Sequence, residues 1–486
     1  MKVFLANLPW KKGNQLGVRA GSRWAFTMDA GKGSTIPPYV PFPFYLAYAA
    51  AVLEKTGMEV RLVDAIAEGL DNDAFLKTVT EFEPDLVLVE TSTPSIYVDL
   101  ALSQQIKQRL PGTRLALAGP HVSALPLETL GMAPFVDFIL LGEYEYTLRD
   151  LAECLGDNGH PGAVNGMVWR TPDGSLHTNP ARPLVRNIDE LPWPARHLLP
   201  MANYCDSFSG LPMPGLTVWA SRGCPFQCIF CVWPNVMYGS QAYRVRNPVD
   251  VIDEIEQNVK KYNLKSFSFD DDTFDIGKPR VIKLCSEMKR RGLSLPWTAM
   301  ARADTADREM LEAMADAGLY AIKYGVESGV QELVDAAHKK LDLEKVKETV
   351  RITKDLGVKV HLTFTLGLPG ETQSTIQRTI DFARSVAPDS VQFSIATPYP
   401  GTPYYEMARV NGMLVANDWT DFDGADTAVI RTDALSPDEL SKALRHAIFQ
   451  WRWYHLRRTF WHNKGYYLRA ALKNPWRSIE LLRGNP

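Results

Sequence analysis

Ser221-Arg222-Gly223-Cys224-Pro225-Phe226-Gln227-Cys228-Ile229-Phe230-Cys231 follows directly on an apolar run, 216–221, that reads as a β-strand. Three thiols fall close together here, and Gly223 and Pro225 shape a loop able to turn them toward one centre. Soft thiolates select iron–sulfur clusters, zinc or Cu(I). A structural zinc site asks for four ligands, and no fourth Cys or His stands nearby. Three thiolates on a [4Fe–4S] cluster leave one iron open to a substrate or cofactor. Two other readings stand beside that one: three small buried hydrophobes, or zinc completed by a distant Cys205 or Cys285. Cys154, Cys205 and Cys285 are isolated and read as structural.

The cysteine loop opens a series of strand–helix units. Strands are expected at 216–221, 266–269, 297–301, 321–326, 360–366 and 390–395, with helices between them. Asn247-Pro248 is an N-cap followed by proline at the first helical position, and Gly318 and Gly357 stand where helices should stop. This is an α/β pattern and implies a partial or complete (β/α)6 barrel with its chemistry at the carboxyl ends of the strands. Upstream, strands at 2–7, 59–63, 86–90, 115–118 and 138–141 alternate with helices at 44–55, 71–81 and 97–108, which specifies a doubly wound parallel sheet. Its strand ends read Leu8-Pro9, Asp64-Ala65, Thr91-Ser92-Thr93, Gly119-Pro120-His121 and Gly142-Glu143, small or polar as a loop-lined pocket requires. A Pro/Gly-rich stretch, 158–215, joins the two units and carries a hairpin signal around Pro172-Asp173-Gly174. From 402 onward the pattern is helical. The expected divisions are 1–150, a linker at 151–212, the barrel at 213–402, and a helical carboxy-terminal region at 403–486.

With 486 residues, 45% hydrophobic and 22% charged, the chain has the composition of a folded globular protein of several domains. Disorder, a collagen-like repeat and a disulfide scaffold are excluded. The net charge of −3 argues against general polyanion binding. Residues 441–486, however, hold ten Lys/Arg against the single acid Glu480. Few cysteines, three of them bunched, point to a reducing compartment and a metal. With no cleavable signal pattern and no apolar run long enough to span a bilayer, the expected location is the cytoplasm.

Cys-x3-Cys-x2-Cys with Phe230 before the last cysteine resembles the signature of radical S-adenosylmethionine enzymes. In that superfamily the open iron chelates S-adenosylmethionine, and one electron cleaves its sulfonium to a 5′-deoxyadenosyl radical. The likeness continues along the strand ends. Asp270, Asp271 and Asp272 stand where the family meets the methionine ammonium, or else form a cap for the next helix. Arg302 stands where a cation pairs the methionine carboxylate, or else makes a surface ion pair. Glu327 and Ser328 match the segment bonding ribose and carboxylate. Gly367 and Pro369 match the turn near adenine, with Glu371-Thr372 equally readable as a helix start. Thr397 and Pro398 match the last strand end.

A doubly wound, Rossmann-like domain ahead of such a barrel is similar to the cobalamin-binding subclass, and Ala118-Gly119-Pro120-His121-Val122 and Leu141-Gly142-Glu143 look like its segments. The resemblance implies cobalamin against Leu8, Pro9, Thr91, Ser92, Gly119, Pro120, His121, Gly142 and Glu143. Its Asp-x-His-x-x-Gly motif is missing: Leu8-Pro9-Trp10-Lys11-Lys12-Gly13 has no histidine, so cobalamin would bind without a histidine ligand. The implied reaction is hydrogen abstraction from an unactivated carbon and methylation from methylcobalamin, with an external electron donor such as flavodoxin or ferredoxin. The resemblance reaches lipid-modifying and tetrapyrrole-cyclising members too, so ring closure, carbon–carbon coupling or oxidation stands as the alternative. A zinc-stabilised, non-catalytic binding protein is the alternative of another class. The substrate is expected to be a small molecule or lipid-like. Trp451, Trp453, Tyr454, Phe460, Trp461, Tyr466, Tyr467 and Trp476 among basic residues suit a membrane surface, or a helix laid on the barrel; nucleic acid is not expected.

Overall fold

A computed structural model describes residues 1–19, 25–31, 33–205, 210–416 and 418–462, with side chains of the last helix taken to Arg458. The first sheet has seven strands in the order Leu176–Thr178, Met167–Arg170, Phe138–Leu140, Arg114–Ala118, Leu86–Glu90, Lys2–Asn7, Glu59–Asp64. The last five of that order run parallel. Strand periodicity explains the double winding. Val3, Leu5, Leu86 and Leu88 point into one core with the helix Phe44–Lys55, while Phe4, Ala6, Val87 and Val89 point into the other with Phe75, Val79 and Ile96.

The hairpin expected in the linker is part of this sheet: Met167–Arg170 pairs antiparallel with Phe138–Leu140. The loop after Lys2–Asn7 also builds a small sheet of its own, Lys11–Lys12, Gln15–Val18 and Phe26–Met28.

The second sheet is the half-open barrel. Gly215–Val218, Ser266–Phe269, Trp297–Ala301, Leu319–Glu327, Lys359–Leu366 and Ser390–Ile395 lie side by side in chain order, every pair parallel. The expected strand 216–221 is two. Ser221–Arg222 leaves the barrel and pairs with Arg244–Val245, because Gly223 turns the chain at φ +95° and the Arg222 side chain is drawn toward the first unit. After Pro403–Val410 the described residues are not helical until Pro437–His462, save for one turn at Trp419–Asp421. Asn411, Gly412, Gly424 and the Asp418 and Asp423 side-chain turns interrupt it.

Helix Phe44–Lys55 is buried from Phe44 to Leu53 and belongs to both units at once. Phe44 stacks on Trp219 with centroids 4.2 Å apart, and Tyr45 meets Trp219 and Trp233 at 5.3 and 5.9 Å. Apolar surface on every side of a helix requires a partner on every side.

Candidate active site

The cysteine loop is held by the strand that follows it in the barrel. Asp271 accepts hydrogen bonds from Ala220 N at 2.8 Å and from the Ser221 hydroxyl. Asp272 accepts from Gly223 N and Tyr238 Oη, both at 2.9 Å. The Cys224 sulfur lies 3.4 Å from Thr273 Oγ1. Phe230 is half-buried against the core. The three thiols share one electrostatic neighbourhood: burial first, then Cys228, Asp272 and Cys224, push the Cys231 thiol far above its usual range. Among the described residues no three His, Cys, Asp or Glu side chains close around a single ion. A four-iron cluster instead takes one thiolate per iron.

Along the strand ends the expected binding residues divide. Asp271 is 0% exposed, its carboxylate taken up by Ala220 N and the Ser221 hydroxyl of the loop. Asp270 is met by Trp219 Nε1 at 3.4 Å. Arg302 is neither at the surface nor free. It forks onto Asp304 at 3.0 and 2.8 Å and lies 3.5 Å over the Phe226 ring of the cysteine loop. Ser328 is fully buried, its hydroxyl 3.1 Å from Thr379 Oγ1. Glu327 ends its strand at φ +70°, where the register slips against Lys359–Leu366. Gly367 turns at φ +92°, with its carbonyl held by Tyr404 Oη at 2.6 Å and half-buried Pro369 two residues on. Thr372 is indeed a helix cap, with a reciprocal capping box to Thr375, and Glu371 is buried, its acid pushed up to about 7 by that burial. Thr397 and Pro398 are buried, and Thr397 Oγ1 has no hydrogen-bond partner among the described residues.

At the ends of the first sheet, Gly119 holds φ +108° and a side chain there would strike the Thr91 carbonyl. Thr91 Oγ1 bonds Ala118 O at 2.9 Å, and Ser92 Oγ meets Ser95 Oγ at 2.7 Å. Leu8 and Pro9 are buried, and Pro120 starts a short helix, Pro120–Ala124. His121 is buried, its Nδ1 3.3 Å from Thr93 Oγ1 and its Nε2 without a partner among the described residues. Burial pushes its pKa down to about 4, so it stays a neutral ring. Trp419 from the carboxy-terminal region closes edge-on over it, centroids 5.3 Å apart.

Glu143, at the next strand end, is held by two arginines of the second unit. Its carboxylate takes Arg244 at 2.7 and 2.8 Å and Arg222 at 3.3 Å, and Glu145 takes Arg222 at 2.7 Å. These are buried ion pairs between the two units, next to the cysteine loop. The strand-end faces meet there and elsewhere: a Cβ at Gly142 would lie 2.6 Å from Met237 O, and one at Gly401 would lie 3.0 Å from Ala124 Cβ.

Residues 220–383 match the radical S-adenosylmethionine superfamily and residues 37–152 the B12-binding domain. An uncharacterized methyltransferase of Pyrococcus horikoshii is 31% identical over 83% of this chain and 86% of its own. This chain belongs to the cobalamin-binding radical S-adenosylmethionine family. The anaerobic magnesium-protoporphyrin IX monomethyl ester cyclase of Rubrivivax gelatinosus is 28% identical, with 82% of this chain and 71% of that one covered. The fold of the methyltransferase TsrM from Kitasatospora setae, solved with cobalamin and a [4Fe–4S] cluster, superposes with a TM-score of 0.67 at 17% identity, covering 92% and 88% of the chains.

The cofactors of this radical enzyme are a [4Fe–4S] cluster, S-adenosylmethionine and cobalamin, and the residues present fit them. The donor set is three neighbouring thiols, soft ligands for iron. The unpartnered Thr397 Oγ1 and the turned backbone at Gly367 lie at barrel strand ends. The first sheet offers glycine turns and an unpartnered imidazole nitrogen at its own strand ends, with no histidine in the loop after the first strand.

Sequence reasoning passed over Arg19, Arg244 and Lys339. Arg19 is buried on Asn7 Oδ1 at 2.7 Å, Ser95 Oγ at 2.9 Å and Asp99, and nothing local to it announces those partners. Arg244 and Arg246 alternate across one valine, a pattern that places both on one face of a strand; Arg246 reaches Glu254 at 2.6 Å.

Proposed function

We propose that this enzyme methylates an unactivated carbon of a small-molecule or lipid-like substrate lying between the two strand-end faces. When bound, the cluster and S-adenosylmethionine supply a hydrogen-abstracting radical, and cobalamin supplies a transferable methyl group. Cys224, Cys228 and Cys231 hold the cluster. Glu327, Thr397, Pro398, Gly367 and Pro369 border the S-adenosylmethionine site, with Asp270, Asp272 and Arg302 shaping the loop beside it. Gly119, Gly142, His121 and the Leu8-Pro9 turn border the cobalamin. The barrel at 213–402 and the unit at 1–150 are the two cofactor-bearing parts.

The observation that carries this reading is the apposition of Gly401 with Ala124 and of Gly142 with Met237, since abstraction and methyl transfer must reach the same carbon. Anaerobic reconstitution with iron, sulfide and cobalamin, followed by product analysis, tests it. Methylation requires S-adenosylhomocysteine and 5′-deoxyadenosine in parallel. Deoxyadenosine alone points to the ring closure named for the Rubrivivax relative.

Two partners belong to the same proposal. The electron comes from an external carrier such as flavodoxin or ferredoxin. The last helix rests on the membrane surface of the cytoplasm, since its outer face shows Phe449 and Trp453, 65% and 49% exposed, among Arg445, Arg452 and Arg457. Its inner face is laid on the barrel, with Trp451 buried and Tyr454 Oη donating to Arg384 O at 3.1 Å. Among the described residues no helix is long and apolar enough to cross a bilayer. The tail aromatics from Phe460 onward lie outside the described side chains. Flotation with anionic vesicles, lost on Phe449→Glu, is the measurement.

A further inference from the structure

Lys339 approaches the cysteine loop on a contorted backbone. His338 and Lys340, on either side of it, both hold φ +52°, a region that residues with a side chain rarely adopt and that costs about 1–2 kcal/mol each. The outcome is that both neighbours face outward while Lys339 is only 6% exposed. Its Nζ donates to Glu327 Oε1 at 3.0 Å, and Glu327 Oε2 accepts from Thr365 Oγ1 at 2.9 Å. Room for this pair depends on Gly325, where a Cβ would sit 2.7 Å from Glu327 Oε1 and 3.2 Å from Lys339 Nζ.

The same segment is fastened to the cysteine loop. Ile229 N donates to Ala337 O at 3.1 Å, and Arg302 donates to Lys339 O at 2.9 Å while stacking on Phe226. Arg302 is paired with Asp304 at 2.8 Å, as Lys339 is with Glu327 at 3.0 Å. Cys228 directly precedes the tied Ile229, and its thiol lies in the field of Lys339, then of Arg302, and more weakly in that of Glu327. Two strained residues, one missing side chain and two backbone ties thus hold a buried ammonium beside a cluster ligand. Packing alone would be served by an aliphatic side chain.

We propose that the Glu327–Lys339 pair sets the reduction potential of the cluster, Lys339 raising it and Glu327 lowering it. One electron from a one-electron reductant converts a [4Fe–4S]2+ centre to the 1+ state, adds one negative charge and breaks no bond. A neighbouring cation stabilises the added charge and a neighbouring carboxylate opposes it.

This inference rests on the three cysteines holding the cluster. The test is a dithionite titration, followed by electron paramagnetic resonance, of the reconstituted full chain without S-adenosylmethionine. Lys339→Met should lower the midpoint and Glu327→Gln should raise it. Each should change the reduced-to-oxidised ratio at fixed potential about tenfold, or about 59 mV for one electron. The double variant should return close to the parent, and Lys339→Arg should stay there. Unmoved midpoints, or two single variants moving the same way, overturn the proposal. If Lys339→Met takes up no cluster, Glu327→Gln decides alone: a raised midpoint supports the pair and an unchanged one overturns it. A parent protein with no reducible four-iron signal would defeat the cluster assignment instead, a separate and visible outcome.

Discussion

At the scale of single residues, burial and charge decide which side chains serve the chemistry. Cys228 is the buried member of its triad, and its thiol is raised first by burial; as the proposed cluster ligand it would exchange that proton for iron. Cys228→Ala should abolish 5′-deoxyadenosine and bring iron per chain down to background, with the first sheet still folded by circular dichroism. Glu90 is a residue of another kind. It is buried, accepts from Tyr144 Oη at 2.7 Å, and is pushed up to about 7 from an ordinary 4.5, chiefly by burial. A carboxyl that holds its proton more tightly when folded contributes its stability below pH 4.5 and loses it as the pH climbs toward 7. Glu90→Gln keeps the neutral form at all pH values. Urea unfolding should find the variant and parent equal near pH 4 and the variant more stable at pH 8 by roughly 2–3 kcal/mol. Equal stabilities at both ends would remove the argument from burial.

At the scale of elements, the cysteine loop is a turn that works only with glycine at its entrance. Gly223 holds φ +95°, and a Cβ there would run into the Ala242 carbonyl. Left-handed backbone costs an alanine about 1 kcal/mol before the collision is counted, and the carbonyl belongs to a main chain that cannot swing aside. Gly223→Ala should therefore lower iron incorporation severalfold, read by iron and sulfide analysis, while Cys224, Cys228 and Cys231 remain in place. Most elements were legible because their signals are local. Strands at 2–7, 86–90, 266–269, 297–301 and 390–395 and the helix at 44–55 fall at the expected limits. The run 216–221 broke in two, since what divides it is a bond network to residues far along the chain. The 402–436 region mixes weak helical spacing with Asx turns, and the turns prevail.

At the scale of the molecule, the two units are one body around helix Phe44–Lys55 and the ion pairs of Arg222 and Arg244 with Glu143 and Glu145. Glu143→Gln takes from the buried Arg244 its carboxylate and leaves Arg222 with Glu145 alone, a change worth about 3 kcal/mol or more. The parent should unfold in one transition, and the variant should show an earlier midpoint together with weaker iron retention, by calorimetry and metal analysis. A variant with unaltered midpoint would mean that the apolar contacts of Trp219 suffice.

The sequence alone carried the order of strands and helices, the three thiols and the family, because each depends on spacing within a few residues or on a local pattern of apolar side chains. The fold brought in the rest. It turned Asp271 under the loop, gave Glu143 to Arg244 across a sequence separation of 101 residues, and swung Lys339 in toward Cys228. Pairings between distant charges follow from which strand ends face each other, and no local periodicity encodes that.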